Sequence, residues 1–100
     1  MQNKDELLKI LKNKLPYLKS EFGVRRIGVF GSFSVGTADE NSDVDLIAEF
    51  ERPIGFKFVE LADYLEQLLN RKTDILTPGG LATIRNPKIA DEIKRTIIYV

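Results

Sequence analysis

The order in which apolar patterning changes period along this chain leaves few folds open to it. Leu7, Leu8, Leu11, Leu15 and Leu18 recur at helical spacing with charges between them, and Pro16 predicts that this first helix ends or bends near Lys14. Val24–Phe30 is a short β-rich run that stops at Gly31-Ser32, and Phe33 to Gly36 reads as one helical turn. A polar loop, Thr37–Ser42, leads into a second strand over Val44–Phe50, with Pro53 and Gly55 punctuating the chain behind it. Phe58, Leu61, Ala62, Leu65, Leu68 and Leu69 stripe a helix over Phe56–Asn70. Thr73–Leu76 reads as a third strand, Pro78-Gly79-Gly80 as a turn and Leu81–Ile84 as a helical turn. Pro87 then opens a last helix to about Thr96. The apolar tail Ile97-Ile98-Tyr99-Val100 could form part of a partner surface, but reads rather as a last strand or a segment docked on the core. Helix, strand, turn, strand, helix, strand, helix predicts a small sheet of about three strands backed by helices.

Length and composition then narrow the function. The 100 residues make one domain, 1–100, with a single core and no separate substrate domain. A chain that is 43% hydrophobic and 30% charged is globular. Fifteen Lys and Arg balance fifteen Asp and Glu, which leaves no electrostatic footprint for generic nucleic-acid binding. Cysteine and histidine are both absent. Disulfides, thiolate metal sites, imidazole bases and imidazole zinc ligands within the chain are thereby excluded. Carboxylate oxygen remains for metal binding, and it suits hard cations such as Mg²⁺, Mn²⁺ or Ca²⁺. No apolar run approaches the ~20 residues of a membrane-spanning helix. The start Met1-Gln2-Asn3-Lys4-Asp5-Glu6 precedes no apolar signal segment, so no membrane contact and a cytoplasmic location are expected.

Chemistry concentrates in two places. Asp43 and Asp45 stand two positions apart at the mouth of the second strand, which points both side chains to one face. Carboxylates held side by side repel each other unless a cation lies between them, so the pair reads as a metal site ahead of a solubilising or loop-capping one. Gly31-Ser32 directly follows a strand. The glycine lets backbone approach a ligand, and Ser32 can begin a helical turn whose free N–H groups face a phosphate. Gly-Ser turns after strands are common and Ser is an ordinary N-cap, so specificity comes from the combination with Asp43 and Asp45. Asp74, in Lys72-Thr73-Asp74-Ile75-Leu76, would join the pair if strands 44–50 and 73–76 are neighbours. Alone it reads equally as a strand-end polar residue.

Gly31-Ser32, a spacer, Ser42-Asp43-Val44-Asp45-Leu46-Ile47 and a later strand bearing Asp74 resemble the nucleotidyltransferase domain of the DNA polymerase β superfamily. The likeness is closest to the minimal nucleotidyltransferases of prokaryotes, over about Leu7 to Ile97. The resemblance implies an α+β fold, a small mixed sheet backed by helices in the polymerase β-like palm arrangement, and transfer of a nucleoside monophosphate from an NTP to a hydroxyl acceptor. Gly31 and Ser32 would hold the β- and γ-phosphates. Asp43 and Asp45 would bind two Mg²⁺ ions (Mn²⁺ as a substitute) with the triphosphate, and Asp74 would bind the nucleophile-side metal and help deprotonate the acceptor. Two metals ~3.5–4 Å apart stabilise the attacking and leaving oxygens, which suits a chain without histidine. Such proteins are commonly encoded beside a HEPN-domain, RNase-type toxin and act as its antitoxin, some by transferring AMP from ATP to a toxin tyrosine. The resemblance therefore also implies ATP and a HEPN-type toxin as partners. One departure stands out. Family members often carry a basic residue where this chain reads Phe33-Ser34-Val35. Arg25, Arg26, Arg71 or Lys72 would have to supply that charge, and each otherwise reads as solvated surface.

Rival motifs fail on single residues. Gly31 and Gly36 have P-loop spacing, but Thr37 stands where lysine is required. A serine-hydrolase elbow around Ser34 lacks its first glycine, and no histidine exists to act as base. Asp39, Asn41 and Asp43 match the start of an EF-hand loop, yet Val44 and Phe50 replace its glycine and glutamate. The alternative from another class is a catalytically silent module that neutralises a partner by covering it. Three aspartates beside a Gly-Ser turn favour the enzyme.

Overall fold

A computed structural model describes residues 3–100. The elements in chain order are α1 (Lys4–Phe22), β1 (Val24–Phe30), α2 (Ser32–Val35), β2 (Val44–Phe50) and α3 (Lys57–Leu69). They are followed by β3 (Thr73–Leu76), α4 (Pro78–Ala82), α5 (Pro87–Thr96) and β4 (Ile98–Tyr99). The four strands form one sheet in the order β3-β2-β1-β4. The β1–β2 and β1–β4 pairs are antiparallel and β2–β3 is parallel, so the sheet is mixed.

One face of the sheet is closed by α1 and α3. Leu7, Leu11, Leu18 and Phe22 of α1 and Leu61, Leu65 and Leu69 of α3 pack with Ile27, Val29, Val44, Leu46 and Ala48 in a single buried cluster. Because side chains alternate along a strand, burying Val44, Leu46 and Ala48 against these helices turns Asp45, Ile47 and Glu49 to the opposite face. That second face is covered only in part, by α4 against β2 and by the end of α5 against β1.

Two expectations are corrected. Of the two readings of Pro16, an end or a bend, the end near Lys14 is overturned: the helix runs through Pro16 to Phe22, where Gly23 in the left-handed region stops it. Proline inside a helix costs ~3 kcal/mol. Burying a Leu and a Phe beyond it, Leu18 and Phe22, returns roughly 1.5–3 kcal/mol each, which offsets that cost. The sheet also has four strands rather than about three, because the apolar tail becomes β4. Its two residues pair with Gly28 and Val29, and the Val100 N–H donates to the Ile27 carbonyl at 3.0 Å. Glycine at position 28 permits this, since a Cβ there would lie 2.8 Å from Ile97 Cγ2. Among the described residues no helix is long and apolar enough to cross a membrane.

Candidate active site

The strand register gathers the sequence-selected residues at one end of the sheet. Asp45 pairs with Phe30 of β1 on one side and with Asp74 of β3 on the other. Gly31 follows Phe30 directly, and Asp43 lies two residues ahead of Asp45. In-register neighbours share a face, so Asp45 and Asp74 emerge together. Asp43 and Asp45 are half-buried and Asp74 is exposed. Burial, then the carboxylate of Asp74, then that of Asp43, raise the Asp45 carboxyl above its usual range. Among the described residues no three carboxylates are drawn tightly enough to cage an ion as they stand. That spacing is expected of like charges side by side.

Gly31 is required twice over. Its φ of 72° lies in the left-handed region that favours glycine, and a Cβ there would collide with Asp45 Oδ2. The backbone of Gly31 therefore rests against the carboxylate. Ser32 begins α2, whose first N–H groups have no partner within the helix. Phe33 anchors this single turn in the core, and Ser34 Oγ donates to the Thr96 carbonyl, tying α2 to the end of α5. Phe33 is thus a packing residue.

The loop between α2 and β2 is held from outside. Asp39 Oδ1 accepts from the Asn41 N–H at 2.8 Å, which turns the chain locally. Arg71 Nη1 then donates to the carbonyls of Asp39 (3.2 Å), Glu40 (3.2 Å) and Ser42 (2.9 Å). The Arg71 guanidinium carbon also lies 5.0 Å from the centre of the Phe33 ring. Sequence read Arg71 as a solvated charge or a stand-in triphosphate contact, and the structure engages it in the loop. Arg26 is engaged too, paired with Glu49 and lying 3.9 Å over the Tyr99 ring. Arg25 and Lys72 are exposed.

A cleft of about 280 Å³ opens beside Gly31-Ser32, walled by Phe30, Val35, Ile89 and Ile93 with Glu92 at its edge. It had no sequence signal, because its walls come from β1, α2 and α5 and meet only in the fold. The same holds for Arg71, whose loop partners lie about thirty residues away. The only hint was an arginine placed two residues ahead of the strand bearing Asp74.

Set against known proteins, residues 5–100 match the family model described as nucleotidyltransferase domain. The chain belongs to this family. Among its relatives, this nucleotidyltransferase-domain protein is 41% identical to the protein adenylyltransferase MntA of Thermococcus cleftensis, over 96% of this chain and 94% of the relative. A solved structure assigned to the minimal nucleotidyltransferases superposes with a TM-score of 0.73 at 28% identity, over 97% of this chain and 95% of that one. The fold also matches a structure of a tri-AMPylated Shewanella oneidensis HEPN toxin in complex with MNT antitoxin. There the TM-score is 0.53 at 17% identity, over 97% of this chain and 68% of that chain. The expected family and the α+β minimal-nucleotidyltransferase fold are both borne out.

Proposed function

We propose that this nucleotidyltransferase-domain protein transfers AMP from ATP to a hydroxyl, a tyrosine of a HEPN-type toxin, and thereby acts as an antitoxin. The observation that carries the reading is the register that sets Asp45 beside Asp74 and against Gly31. Relatives named for protein adenylylation and for complexes with an AMPylated toxin support it.

The donor set fits divalent magnesium. Asp43, Asp45 and Asp74 are all hard oxygen ligands, and burial, with the neighbouring carboxylates adding to it, raises the Asp45 carboxyl, a penalty that a bound cation would relieve. These three residues would hold Mg²⁺, with Mn²⁺ as a substitute. When bound, the ions neutralise charge on the reacting phosphoryl group and on the attacking and leaving oxygens. The chain's own residues do the rest. The N–H groups at Gly31-Ser32 receive the β- and γ-phosphates, and Gly31 lets them come close because no Cβ stands in the way. Asp74, exposed at the rim, accepts the acceptor's proton as its oxygen attacks the α-phosphorus and pyrophosphate departs. The apolar cleft beside Gly31-Ser32 gives the nucleoside end a dry wall. The acceptor tyrosine is presented by the toxin, a separate chain.

The test uses α-labelled and γ-labelled ATP in parallel, with the chain co-purified with the product of its neighbouring gene. Label retained from the α position only, and lost in Asp43→Asn, is the expected result. Transfer of the γ label would mean a kinase-like reaction and overturn the assignment. A tight complex with no transfer of either label would establish the silent neutralising module instead.

A further inference from the structure

Arg71 touches all three segments that build the candidate site. It leaves α3 directly after Asn70, whose left-handed φ of 53° ends that helix, and it stands three residues before Asp74. Its guanidinium gathers the carbonyls of Asp39, Glu40 and Ser42, in the loop that ends at Asp43. On its other side it faces the ring of Phe33, the anchor of the turn that begins at Ser32. The next residue continues the clamp, because the Lys72 carbonyl accepts from the Val44 N–H at 2.9 Å. Asp43 is therefore held from both sides, through Ser42 by Arg71 and through Val44 by Lys72.

The geometry points to Arg71 as a positioning residue that sets Asp43 relative to Asp74 and Gly31, rather than as a contact to the triphosphate. The physical reason is the balance of charge and backbone. Asp43, at the end of its loop, stands close to two like charges, Asp45 and its in-register neighbour Asp74, and like charges repel. Charge-assisted hydrogen bonds to three loop carbonyls oppose that repulsion without neutralising the carboxylates themselves. A direct ion pair to Asp43 would hold the loop equally well but would compete with a cation for the same oxygens. Binding backbone carbonyls leaves the carboxylates available. A planar donor also stacks over Phe33 while its edge reaches the loop, which a lysine cannot reproduce in full.

This inference rests on the reading of Asp43, Asp45 and Asp74 as metal ligands, and the experiment separates the two. The intact chain, Arg71→Met, Arg71→Lys and Asp43→Asn are compared by amide hydrogen exchange, by Mn²⁺ binding without nucleotide, followed by electron paramagnetic resonance, and by ATP binding in calorimetry. In Arg71→Met, exchange at residues 39–44 should accelerate about tenfold while Ile27–Val29 stay protected, and Mn²⁺ affinity should fall about tenfold. Arg71→Lys should recover part of both. Should Arg71→Met unfold, Arg71→Lys carries the test with changes of about threefold. Unchanged loop exchange overturns the positioning role. So does unchanged Mn²⁺ affinity accompanied by weaker ATP binding, which would make Arg71 a triphosphate contact. If the wild-type chain shows no Mn²⁺ binding that Asp43→Asn abolishes, the metal-site reading fails and this inference falls with it.

Discussion

Two helices of similar patterning meet different fates in this molecule. In α3, Leu61, Leu65 and Leu69 are fully buried against the sheet. In α5 the amphipathic stripe is sharper, yet no residue is buried and Ile89 remains 49% exposed. The difference is which face of the sheet each helix meets. α3 shares the closed face with α1, where apolar strand residues complete its packing. α5 borders the open face, and its Ile89 and Ile93 line the cleft beside Gly31-Ser32. An amphipathic stripe thus says that a helix has an apolar side, and only the fold says whether the chain itself covers it.

The largest expected effect falls on the open face. Asp45→Asn should reduce nucleotidyl transfer by at least about a thousandfold, roughly 4 kcal/mol of transition-state stabilisation. Its thermal midpoint should hold or rise, since one of three crowded charges is removed. Unfolding of this variant would return Asp45 to a structural role and erase the contrast between the faces. Next comes the packing comparison, read by urea denaturation. Leu65→Ala in α3 should cost about 2–5 kcal/mol. Ile93→Ala in α5 should cost less than about 1 kcal/mol while weakening ATP binding. Equal losses would mean that α5 belongs to the core. Gly31→Ala comes third. The positive-φ backbone alone makes it worse by roughly 1–3 kcal/mol. The collision with Asp45 should in addition lower transfer more than it lowers the melting temperature.

The smallest effect is in pH. The Asp45 carboxyl is raised in the folded state above its ordinary value of 3.8. Its contribution to stability is therefore fully present below that ordinary value and is lost as pH rises through the raised one. Metal-free protein should lose a little stability across this window, and Asp45→Asn should flatten the slope. A slope unchanged by the substitution would show that Asp45 does not sense its neighbours.

Much of the fold was legible because it rests on local signals. The stripe over residues 56–70 and the β-rich runs at 24–30, 44–50 and 73–76 all appear where the sequence places them. The placement of Asp74 beside Asp45, conditional in the sequence, follows from the parallel register of β2 and β3. Pro16 misled because a local breaking signal of ~3 kcal/mol was outweighed by the burial of Leu18 and Phe22, a tertiary term. β4 was ambiguous because two residues carry no period.

By itself, the sequence determined the kind of chemistry open to this protein. With no histidine or cysteine and an Asp-x-Asp pair behind a Gly-Ser turn, carboxylate oxygen was the ligand type left for a metal and the Gly-Ser turn the candidate for a phosphate. It also determined which helical and strand faces are apolar, since that follows from residue spacing along one segment. Only the tertiary structure decided that Asp45 meets both Gly31 and Asp74, that α5 leaves a cleft open, and that Arg71 is spent on three loop carbonyls. Each of these joins segments distant in the chain. Their energies are set by register and close packing, which no local pattern encodes.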